Sequence, residues 1–367
     1  MEVICDKKIF ATAISNVIRA SSNKTTLPVL EGILLKAKDS LLELCCYDLK
    51  IAIKRNISAN VLEEGEIVLS AATLNSIAAK LKSETITIKT DENLITNIKG
   101  GRSRFKLVGM AASDFPLIPD VESAKTVTVN GSEFKNNLKQ SLFAVSPNAT
   151  NPVFSGIALD FKDGSLVFRA TDSYKFIKRT MSASGEPFSC LIPAKEFNDV
   201  LRLISDNANN IKISIGDHHA LFSVGDYIVI LRLISGNFPD FGSIEKRNCT
   251  TSIKLNRNDF LDTVRCVSLV NIERLPKPIL CSVSEEGIKC STSSYLGNSE
   301  DSCDLIGFSG EKIDIGLHPK HLESILSNIE DSEIKIEFSG ERGPIFIKPI
   351  EDNKFFAFMA PMVLSST

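Results

Sequence analysis

The residues best suited to chemistry are four histidines, which occur as two close pairs. His218 and His219 are adjacent in IGDHHALF, a stretch that predicts a hairpin turn, and neighbouring side chains of extended chain point to opposite faces. His318 and His321 are three residues apart, so one helix face could carry both. Because neither pair has a third ligand nearby, the sequence favours a polar turn, a helix-capping histidine and a surface histidine over metal sites.

Two carboxylates and one glycine-rich segment are the other candidates for catalytic groups. Asp114 in SDFP and Asp240 in NFPDF could pair as general acid and base, but Phe-Pro accompanies both and predicts structural turns. The sequence contains no GxxxxGK[ST], GxGxxG or GxSxG motif. GGRSRFK has glycines and basic residues, but it has a β pattern and the wrong spacing for a phosphate cradle. We therefore expect no catalytic residue, no metal and no cofactor.

A long internal repeat organises the chain that carries these residues. PVLEGI at residues 28–33 returns as PVFSGI at 152–157, which is 124 residues later. At the same offset, residues 53–55 and 177–179 both read IKR, and the register extends without a gap from Val3 to Arg55. An offset of this size is that of a whole domain, so a third and more diverged copy is expected to begin near residue 250.

The repeat predicts three domains, at residues 1–121, 122–247 and 248–367. Each copy opens with an amphipathic helix, followed by period-two strands, a second helix and further strands. KDS, KDG and EEG stand at corresponding points and predict hairpin turns. Many strands with short connections indicate antiparallel sheets with helices packed on one face, so the expected class is an α+β fold repeated three times.

Composition indicates the kind of protein. With 43% hydrophobic and 24% charged residues and no apolar run near eighteen residues, the sequence predicts a soluble globular protein without a membrane span. MEVICDKK lacks the apolar segment of a secretory signal. Nine scattered cysteines without a C-x-x-C pair are typical of small apolar fillers in a reducing compartment. We therefore expect a cytoplasmic protein.

Charge is distributed unevenly along the chain. A net charge of −3 argues against an ordinary basic nucleic-acid-binding domain. The predicted helices nevertheless carry an excess of Lys and Arg, including Lys7, Arg19, Lys80, Lys139 and Arg202. From charge alone, solvated helix faces are favoured and contact with DNA is the alternative.

Several segments, taken together, resemble a known family. TTLPVLEGILL, YDLKIAI, RATDSYKFIKR, VGDYIVILRLISGNFPDF and FMAPMVL occur in order from the first residues to the last few. They resemble the bacterial β sliding clamp, the processivity subunit of DNA polymerase III. This resemblance implies three similar domains in each chain, and a ring-shaped homodimer that closes head to tail around duplex DNA with helices lining the hole. It also implies sequence-independent sliding, and short peptide motifs that attach the polymerase III catalytic subunit, the clamp loader and repair proteins.

The resemblance also implies particular site residues. For DNA it implies Lys24, where the family carries a basic residue, and Asn148 one repeat later, beside the basic helix residues named above. For the partner-peptide pocket it implies Phe154, Thr171, Tyr174, Lys175, Phe176, Pro239, Ile244, Leu275, Ile345, Pro361 and Met362. For the dimer interface it implies Phe105, Leu269 and Val270.

Two departures from the family pattern leave the peptide preference open. Residues 173–176 read Ser-Tyr-Lys-Phe where the family usually has Gly-His-Arg-Leu, and residues 363–364 read Val-Leu where it has Arg-Leu. Two other classes of protein remain as alternatives. A DNA-processing enzyme would show nuclease turnover with Mg²⁺, and a monomeric three-domain protein-binding scaffold would have the mass of one chain.

Overall fold

The structure, a computed structural model, describes residues 1–22, 25–121, 124–146, 149–271 and 277–363. The chain divides into two compact units. The first comprises Met1–Lys135, Ala183–Phe188 and Lys195–Leu233, and the second comprises Asn136–Ser182, Ser189–Ala194 and Ile234–Thr367. Segments of the predicted central domain belong to each unit, and the boundaries predicted at 121/122 and 247/248 stay a prediction.

The described residues form seven α-helices, of which six follow the amphipathic patterns in the sequence. The helices are α1 Lys7–Val17, α2 Ala71–Lys80, α3 Gly131–Leu142, α4 Ala194–Leu203, the single turn α5 Gly242–Glu245, α6 Arg257–Ser268 and α7 Pro319–Leu326. Side-chain caps start several of them. Asp6 Oδ1 accepts from the backbone N–H of Lys8 at 2.7 Å and of Ile9 at 2.9 Å, which satisfies two N–H groups that have no partner inside the helix.

The strands were expected to be numerous, with short connections, and the described residues confirm this. They are β1 Glu2–Asp6, β2 Gly32–Lys38, β3 Leu41–Tyr47, β4 Ile51–Glu63, β5 Gly65–Ser70, β6 Thr85–Thr90, β7 Ile95–Gly100, β8 Ser103–Val108, β9 Lys125–Asn130, β10 Gly156–Lys162, β11 Ser165–Thr171, β12 Lys175–Ser182, β13 Ser184–Gly185, β14 Phe188–Pro193, β15 Asn210–Ile215, β16 His219–Val224, β17 Tyr227–Arg232, β18 Thr251–Asn256, β19 Ile279–Ser284, β20 Gly287–Ser294, β21 Gly297–Cys303, β22 Gly307–Gly310, β23 Ile313–Leu317, β24 Glu333–Phe338, β25 Ile345–Pro349 and β26 Phe355–Met359.

The first unit contains one sheet of thirteen strands. Its main path runs β13-β9-β15-β16-β17-β4-β1-β6-β7-β8, and β2, β3 and β5 branch from β4 through β3. Neighbouring strands are antiparallel, including β17 against β4, where Tyr227 faces Arg55. At one end of the path β8 pairs with β7 and, among the described strands, with no other. Its outer edge therefore presents unpaired backbone groups.

The second unit contains two sheets. The larger has nine strands in the order β14-β10-β11-β12-β26-β25-β24-β18-β22, and the smaller has four in the order β21-β20-β19-β23. β12 pairs with β26 in antiparallel register, so Lys175 faces Met359 and Phe176 faces Phe358. β21 is the end strand of the smaller sheet and pairs, within the described part of the chain, with β20 alone. The antiparallel α+β class expected from the sequence is confirmed.

The 124-residue repeat is reproduced element by element. The first helix begins at Lys7 in one copy and at Gly131 in the next, and the first strand after it begins at Gly32 and at Gly156. The third copy opens in the same way, with β18 followed by α6. The structure thus has the repeated order of elements that the sequence pattern predicted.

The predicted hairpin turns are confirmed by the backbone. Asp39 and Ser40 join β2 to β3 with φ of 49° and 65°, and Asp163 and Gly164 join β10 to β11 with φ of 50° and 76°. Two consecutive positive φ values are the conformation that matches the twist of two-residue hairpins, and Asp and Gly tolerate it well. In the third copy, residues 285–286 join β19 to β20.

A phenylalanine on the opening helix anchors the core of each copy. Phe10, Phe134 and Phe260 are fully buried at equivalent helix positions. Phe134 packs against Phe197 and Phe222 with ring centroids 6.0 and 6.3 Å apart. Burial of a side chain of this size contributes about 1.5–3 kcal/mol relative to exposure, so these contacts hold the helices against the sheets.

Most cysteines are apolar fillers, as the sequence predicted. Cys5, Cys45, Cys46, Cys281, Cys290 and Cys303 are buried, Cys190 and Cys249 are partly buried, and Cys266 on α6 is exposed. Burial raises the pKa of Cys5 and of Cys45 to about 12, so both remain thiols at neutral pH. Of the helices described, none is both long enough and apolar enough to span a membrane.

Candidate functional site

The turn between β11 and β12, part of the candidate peptide pocket, is held by side-chain hydrogen bonds. Asp172 Oδ1 accepts from the backbone N–H of Tyr174 and of Lys175, both at 2.9 Å. Thr171 Oγ1 donates to the carbonyl oxygen of Lys175 at 2.7 Å and accepts from the N–H of Ser173 at 3.1 Å. Ser173 has a positive φ of 80°. These bonds fix the turn and present Tyr174 with 64% of its surface exposed.

The N-terminus of α7 supplies two histidines next to this turn. His318 caps the helix, because its Nδ1 accepts from the N–H of His321 at 3.3 Å, as the sequence predicted. The prediction of a surface position for His321 is wrong. Its side chain is 19% exposed, its ring stacks on that of His318 with centroids 3.9 Å apart, and it lies 5.9 Å from the Tyr174 ring.

His321 is neutral at physiological pH. Burial first, and then the nearby His318 and Lys175, lower its pKa to about 4, while Asp172 acts in the opposite direction. His321 Nε2 is 3.9 Å from Asp172 Oδ2, but at neutral pH the imidazole carries no charge, so this contact is not an ion pair. The ion pair of Asp172 is with Lys175. Burial and Lys175 also lower the pKa of His318.

An aromatic cluster lies beneath the turn. Phe176, Phe346 and Phe358 are buried together, and Phe238 and Phe241 pack against them. The ring centroid of Phe176 is 4.9 Å from that of Phe358 and 4.7 Å from that of Phe241, which are favourable distances for aromatic pairs. Ile244, on α5, also packs against this cluster.

The C-terminal segment crosses beside the same turn. The N–H of Ala360 donates to the carbonyl oxygen of Tyr174 at 2.8 Å, and the N–H of Met362 donates to that of Gly316 on β23 at 2.8 Å. Pro361 and Met362 are partly buried between these two attachments. The structure therefore brings these two residues next to Tyr174, although 187 positions separate Pro361 from Tyr174 in the sequence.

The other predicted pocket residues differ in what they offer to a ligand. Thr171, Lys175, Phe176 and Ile345 are buried, and Phe154, Pro239 and Ile244 are partly buried. Val153 and Phe238 directly precede Phe154 and Pro239 in the sequence and pack in one apolar cluster. Phe238 also packs against the aromatic cluster. Leu275 lies outside the described residues.

The predicted DNA residues occupy helices and helix ends. Lys7 is the first residue of α1 and partly buried, whereas Lys80 on α2, Lys139 on α3 and Arg202 on α4 are exposed. Within the described residues, none of these four forms an ion pair. Arg19 follows α1, and its Nε is buried without a hydrogen-bond partner in the described part of the chain. Lys24 and Asn148 lie outside the described residues.

The predicted interface residues lie beside two sheet edges. Phe105 is on the end strand β8 and 37% exposed, next to the exposed Arg104 and Lys106. Leu269, which follows α6, is 74% exposed, and Val270 is partly buried. Phe105 lies on β8, and α6, which Leu269 follows, packs against β21; among the described strands, β8 and β21 each pair on one side only.

Asp114, Asp240 and the histidines at 218 and 219 lie in or beside turns. Asp114 ends a short 3-10 helix and Asp240 Oδ1 accepts from the N–H of Gly242 at 2.9 Å, so the prediction of structural turns is confirmed. His218 lies in the turn before β16 and His219 is the first residue of that strand. Among the described residues, no group of three His, Cys, Asp or Glu side chains could hold a metal ion.

Sequence reasoning identified His318 as a helix cap, but it missed that His321 lies beside Asp172 and Tyr174, and it missed most of the aromatic cluster. His321 is 149 residues from Asp172 in the sequence, and no local pattern indicates their contact. The abundance of phenylalanine was a usable signal, because FFAF on β26 and NFPDF each contribute to the cluster. An alternating aromatic strand beside a second aromatic segment predicts a shared core.

The chain is similar to known proteins over almost its whole length. Residues 1–119 match the family model of the DNA polymerase III beta subunit, N-terminal domain, and residues 128–240 match that of its central domain. The beta sliding clamp of Staphylococcus aureus is 28% identical over 373 aligned positions, covering 99% of each chain. The crystal structure of the Bacillus subtilis DNA polymerase sliding clamp superposes with a TM-score of 0.96 at 26% identity, covering 99% of each chain.

A more distant structure shows the same fold. The beta subunit from the DNA polymerase of Streptococcus pyogenes has a TM-score of 0.94 at 20% identity, and the match covers 99% of this chain and 100% of that one. The family models, the full-length relatives and the shared three-domain fold agree with the resemblance seen in the sequence. The chain belongs to the bacterial β sliding clamp family, the β subunit of DNA polymerase III.

Proposed function

We propose that two copies of this chain close head to tail into a ring around duplex DNA. The ring slides without sequence preference and holds the catalytic subunit of DNA polymerase III, the clamp loader and repair proteins through their short peptide motifs. The protein acts in the cytoplasm and catalyses no reaction itself. The observation that carries the proposal is the matching chemistry of two unpaired strand edges, β8 in the first unit and β21 in the second.

The two edges complement each other in charge and in apolar surface. Side chains alternate along a strand, so Arg104 and Lys106 share one face of β8 and Phe105 lies on the other. On the second unit, Glu300 is exposed on β21, and Leu269 supplies exposed apolar surface. Pairing β8 of one chain with β21 of its partner would satisfy both edges and place opposite charges and apolar groups together. Twofold symmetry would form the same interface twice and close the ring.

The helices support contact with the DNA backbone. Lys80, Lys139 and Arg202 are exposed on three different helices, while the whole chain has a net charge of −3. Lys7 stands at the N-terminal end of α1, where the helix dipole disfavours a cation, so its charge brings no benefit to the helix. A modest local excess of cations gives weak, salt-sensitive phosphate contacts, which suit a protein that must slide.

The groove beside Tyr174 supports binding of partner peptides. An exposed aromatic ring, two partly buried residues of the C-terminal segment and a floor of phenylalanines provide apolar contacts for one or two side chains. The backbone groups of the turn are already bonded to Asp172 and Thr171, so binding requires little ordering of the receptor.

Light scattering coupled to size exclusion tests the assembly. The proposal predicts a mass twice the 40.1 kDa of one chain at micromolar concentration. The mass of a single chain under these conditions would favour the monomeric scaffold and contradict the ring.

A further inference from the structure

A small polar cavity in the second unit is separate from the peptide groove. It has a volume of about 200 Å³, and none of its lining residues belongs to the predicted peptide pocket. Its polar lining includes Gln140 on α3, Arg179 on β12 and the carboxylates of Glu330, Asp331 and Asp352. Ile329 and Phe355 add apolar surface.

Gln140 is the feature of this cavity that calls for a ligand. It is the only glutamine among the 367 residues, and only 7% of its surface is exposed. Its Oε1 atom is buried and has no hydrogen-bond partner within the described residues. An unsatisfied buried acceptor costs about 1–3 kcal/mol, so native proteins nearly always provide one with a donor. A donor inside the cavity would meet this requirement.

The cavity carries excess negative charge. Arg179 is neutralised, because one of its terminal nitrogens pairs with Asp352 and its Nε donates to Asn137 Oδ1 at 2.9 Å. Asp331 Oδ2 accepts from the backbone N–H of Glu351 at 2.8 Å and of Asp352 at 3.0 Å, which are neutral donors. The carboxylates of Glu330 and Asp331 therefore have no cationic partner among the described residues of the lining.

We propose that this cavity binds an alkylammonium group. Its N–H groups would donate to Gln140 Oε1 and to the carboxylates, and its aliphatic part would lie against Ile329 and Phe355. The volume is below the 300–1,000 Å³ usual for drug-sized ligands, so it suits a group of a few heavy atoms. Two sources have this chemistry, a free aliphatic amine and the lysine side chain of a protein. The proposal does not depend on the peptide groove or on DNA.

The single glutamine allows a direct test on the full-length protein. Glutamine labelled with ¹⁵N in the side chain gives one NH₂ pair of resonances in the NMR spectrum, from Gln140. n-Butylammonium is expected to shift this pair saturably at constant ionic strength. Tetramethylammonium has the same charge but no N–H donor, and is expected to leave the chemical shifts of the Gln140 NH₂ resonances unchanged. An equal response to both cations, or no response to either, means a cavity filled by water and overturns the proposal.

Two charge variants test the role of the carboxylates. Glu330 is exposed, so Glu330→Gln leaves the fold intact and is expected to weaken butylammonium binding about two- to fivefold. Glu341→Gln makes the same change at an exposed position outside the cavity lining and is expected to leave the affinity unchanged. An unchanged affinity in Glu330→Gln, or equal loss in both variants, contradicts the assignment.

Two further probes separate the sources of the ammonium group. Putrescine represents a free amine, and Nα-acetyl-lysine methylamide represents a lysine within a protein chain. Binding of the lysine derivative as tightly as butylammonium would assign the cavity to a protein side chain. Binding of putrescine without the lysine derivative would assign it to a free amine, and failure of both would contradict the proposal.

Discussion

The backbone N–H of Ala360 donates a hydrogen bond to the carbonyl oxygen of Tyr174 at 2.8 Å. This bond attaches the C-terminal segment to the turn after β11, and a second bond, from Met362 to Gly316, attaches it to β23. Because both bonds use the backbone, the segment keeps its position when its side chains are changed. The contribution of those side chains to partner binding can therefore be measured separately from folding.

Truncating Pro361 and Met362 to alanine should abolish polymerase stimulation without unfolding the protein. The two side chains are partly buried beside Tyr174, and losing an interface anchor typically costs 2 kcal/mol or more, about a thirtyfold loss of affinity. Processive synthesis and binding of a polymerase-derived peptide by fluorescence anisotropy are the measurements. Val363→Ala changes the next residue, which is 84% exposed, and serves as the control. Undiminished stimulation by the double variant would remove the pocket assignment.

His321 should titrate near pH 4, well below an ordinary histidine. Its neutral form is favoured in the folded protein, so its contribution to stability is complete above pH 6.5 and is lost as pH falls toward 4. His321→Phe keeps a ring on His318 and removes the titration.

Two measurements check this behaviour. The Hε1 resonance of His321 reports its protonation directly, with an expected midpoint near pH 4. Urea unfolding followed by circular dichroism, chosen because the chain has no tryptophan, should show a smaller loss of stability between pH 6.5 and 4.5 in His321→Phe. A midpoint near pH 6.5 would mean that the ring is open to water.

Reversing the charge at Arg104 should weaken the proposed dimer. Arg104→Glu places a carboxylate on the edge strand β8, which the proposed dimer sets opposite the edge that carries Glu300, and like charges in opposed strands are destabilising. Light scattering over a dilution series should show one-chain mass at concentrations where the parent protein is dimeric. Lys212→Glu makes the same reversal at an exposed site on β15, inside the sheet, and should remain dimeric.

The matched double variant gives a sharper test of the same edge. Adding Glu300→Arg to Arg104→Glu restores opposite charges across the proposed interface and should recover much of the dimer. If the double variant is no more dimeric than Arg104→Glu alone, the two residues do not face each other.

Removing three exposed helix cations should lower the salt dependence of DNA binding. The triple variant Lys80→Gln, Lys139→Gln and Arg202→Gln removes up to three phosphate contacts, and each contributes about 0.9 to the slope of log K against log salt. Anisotropy of a short labelled duplex at several salt concentrations gives this slope. The control variant changes Lys38, Lys162 and Arg342, which lie at hairpin ends, to glutamine. Equal slopes for the two triple variants would place the DNA contacts elsewhere.

The repeated fold could be predicted from the sequence because its signals are local. Period-two strands, amphipathic helices and two-residue turns such as Asp163-Gly164 depend on near neighbours, and the repeat supplied each signal twice. The shared strand pairing between β17 and β4 was beyond such reasoning. This pairing joins Tyr227 to Arg55, which are 172 residues apart in the sequence. Because edge strands of similar composition can pair with one another, the sequence does not indicate which strand is the partner.

The pocket could be predicted only in part for the same reason. The resemblance supplied Tyr174, Pro361 and Met362, which the structure places together, but it could not indicate that His321 packs beside Asp172. Nor could it show that Thr171 and Lys175 use their polar groups within the turn itself. Their side chains hold the receptor in shape, and whether a peptide also reaches them stays a prediction.

Retention on circular DNA tests the central claim most directly. The clamp loader proposed as a partner places the protein on nicked circular plasmid, and free protein is removed by gel filtration in salt that disrupts simple phosphate contacts. Encirclement predicts that the protein remains with the circle and is released when one restriction cut makes the plasmid linear. Equal amounts bound before and after the cut would contradict encirclement and show that direct contacts alone hold the protein on DNA.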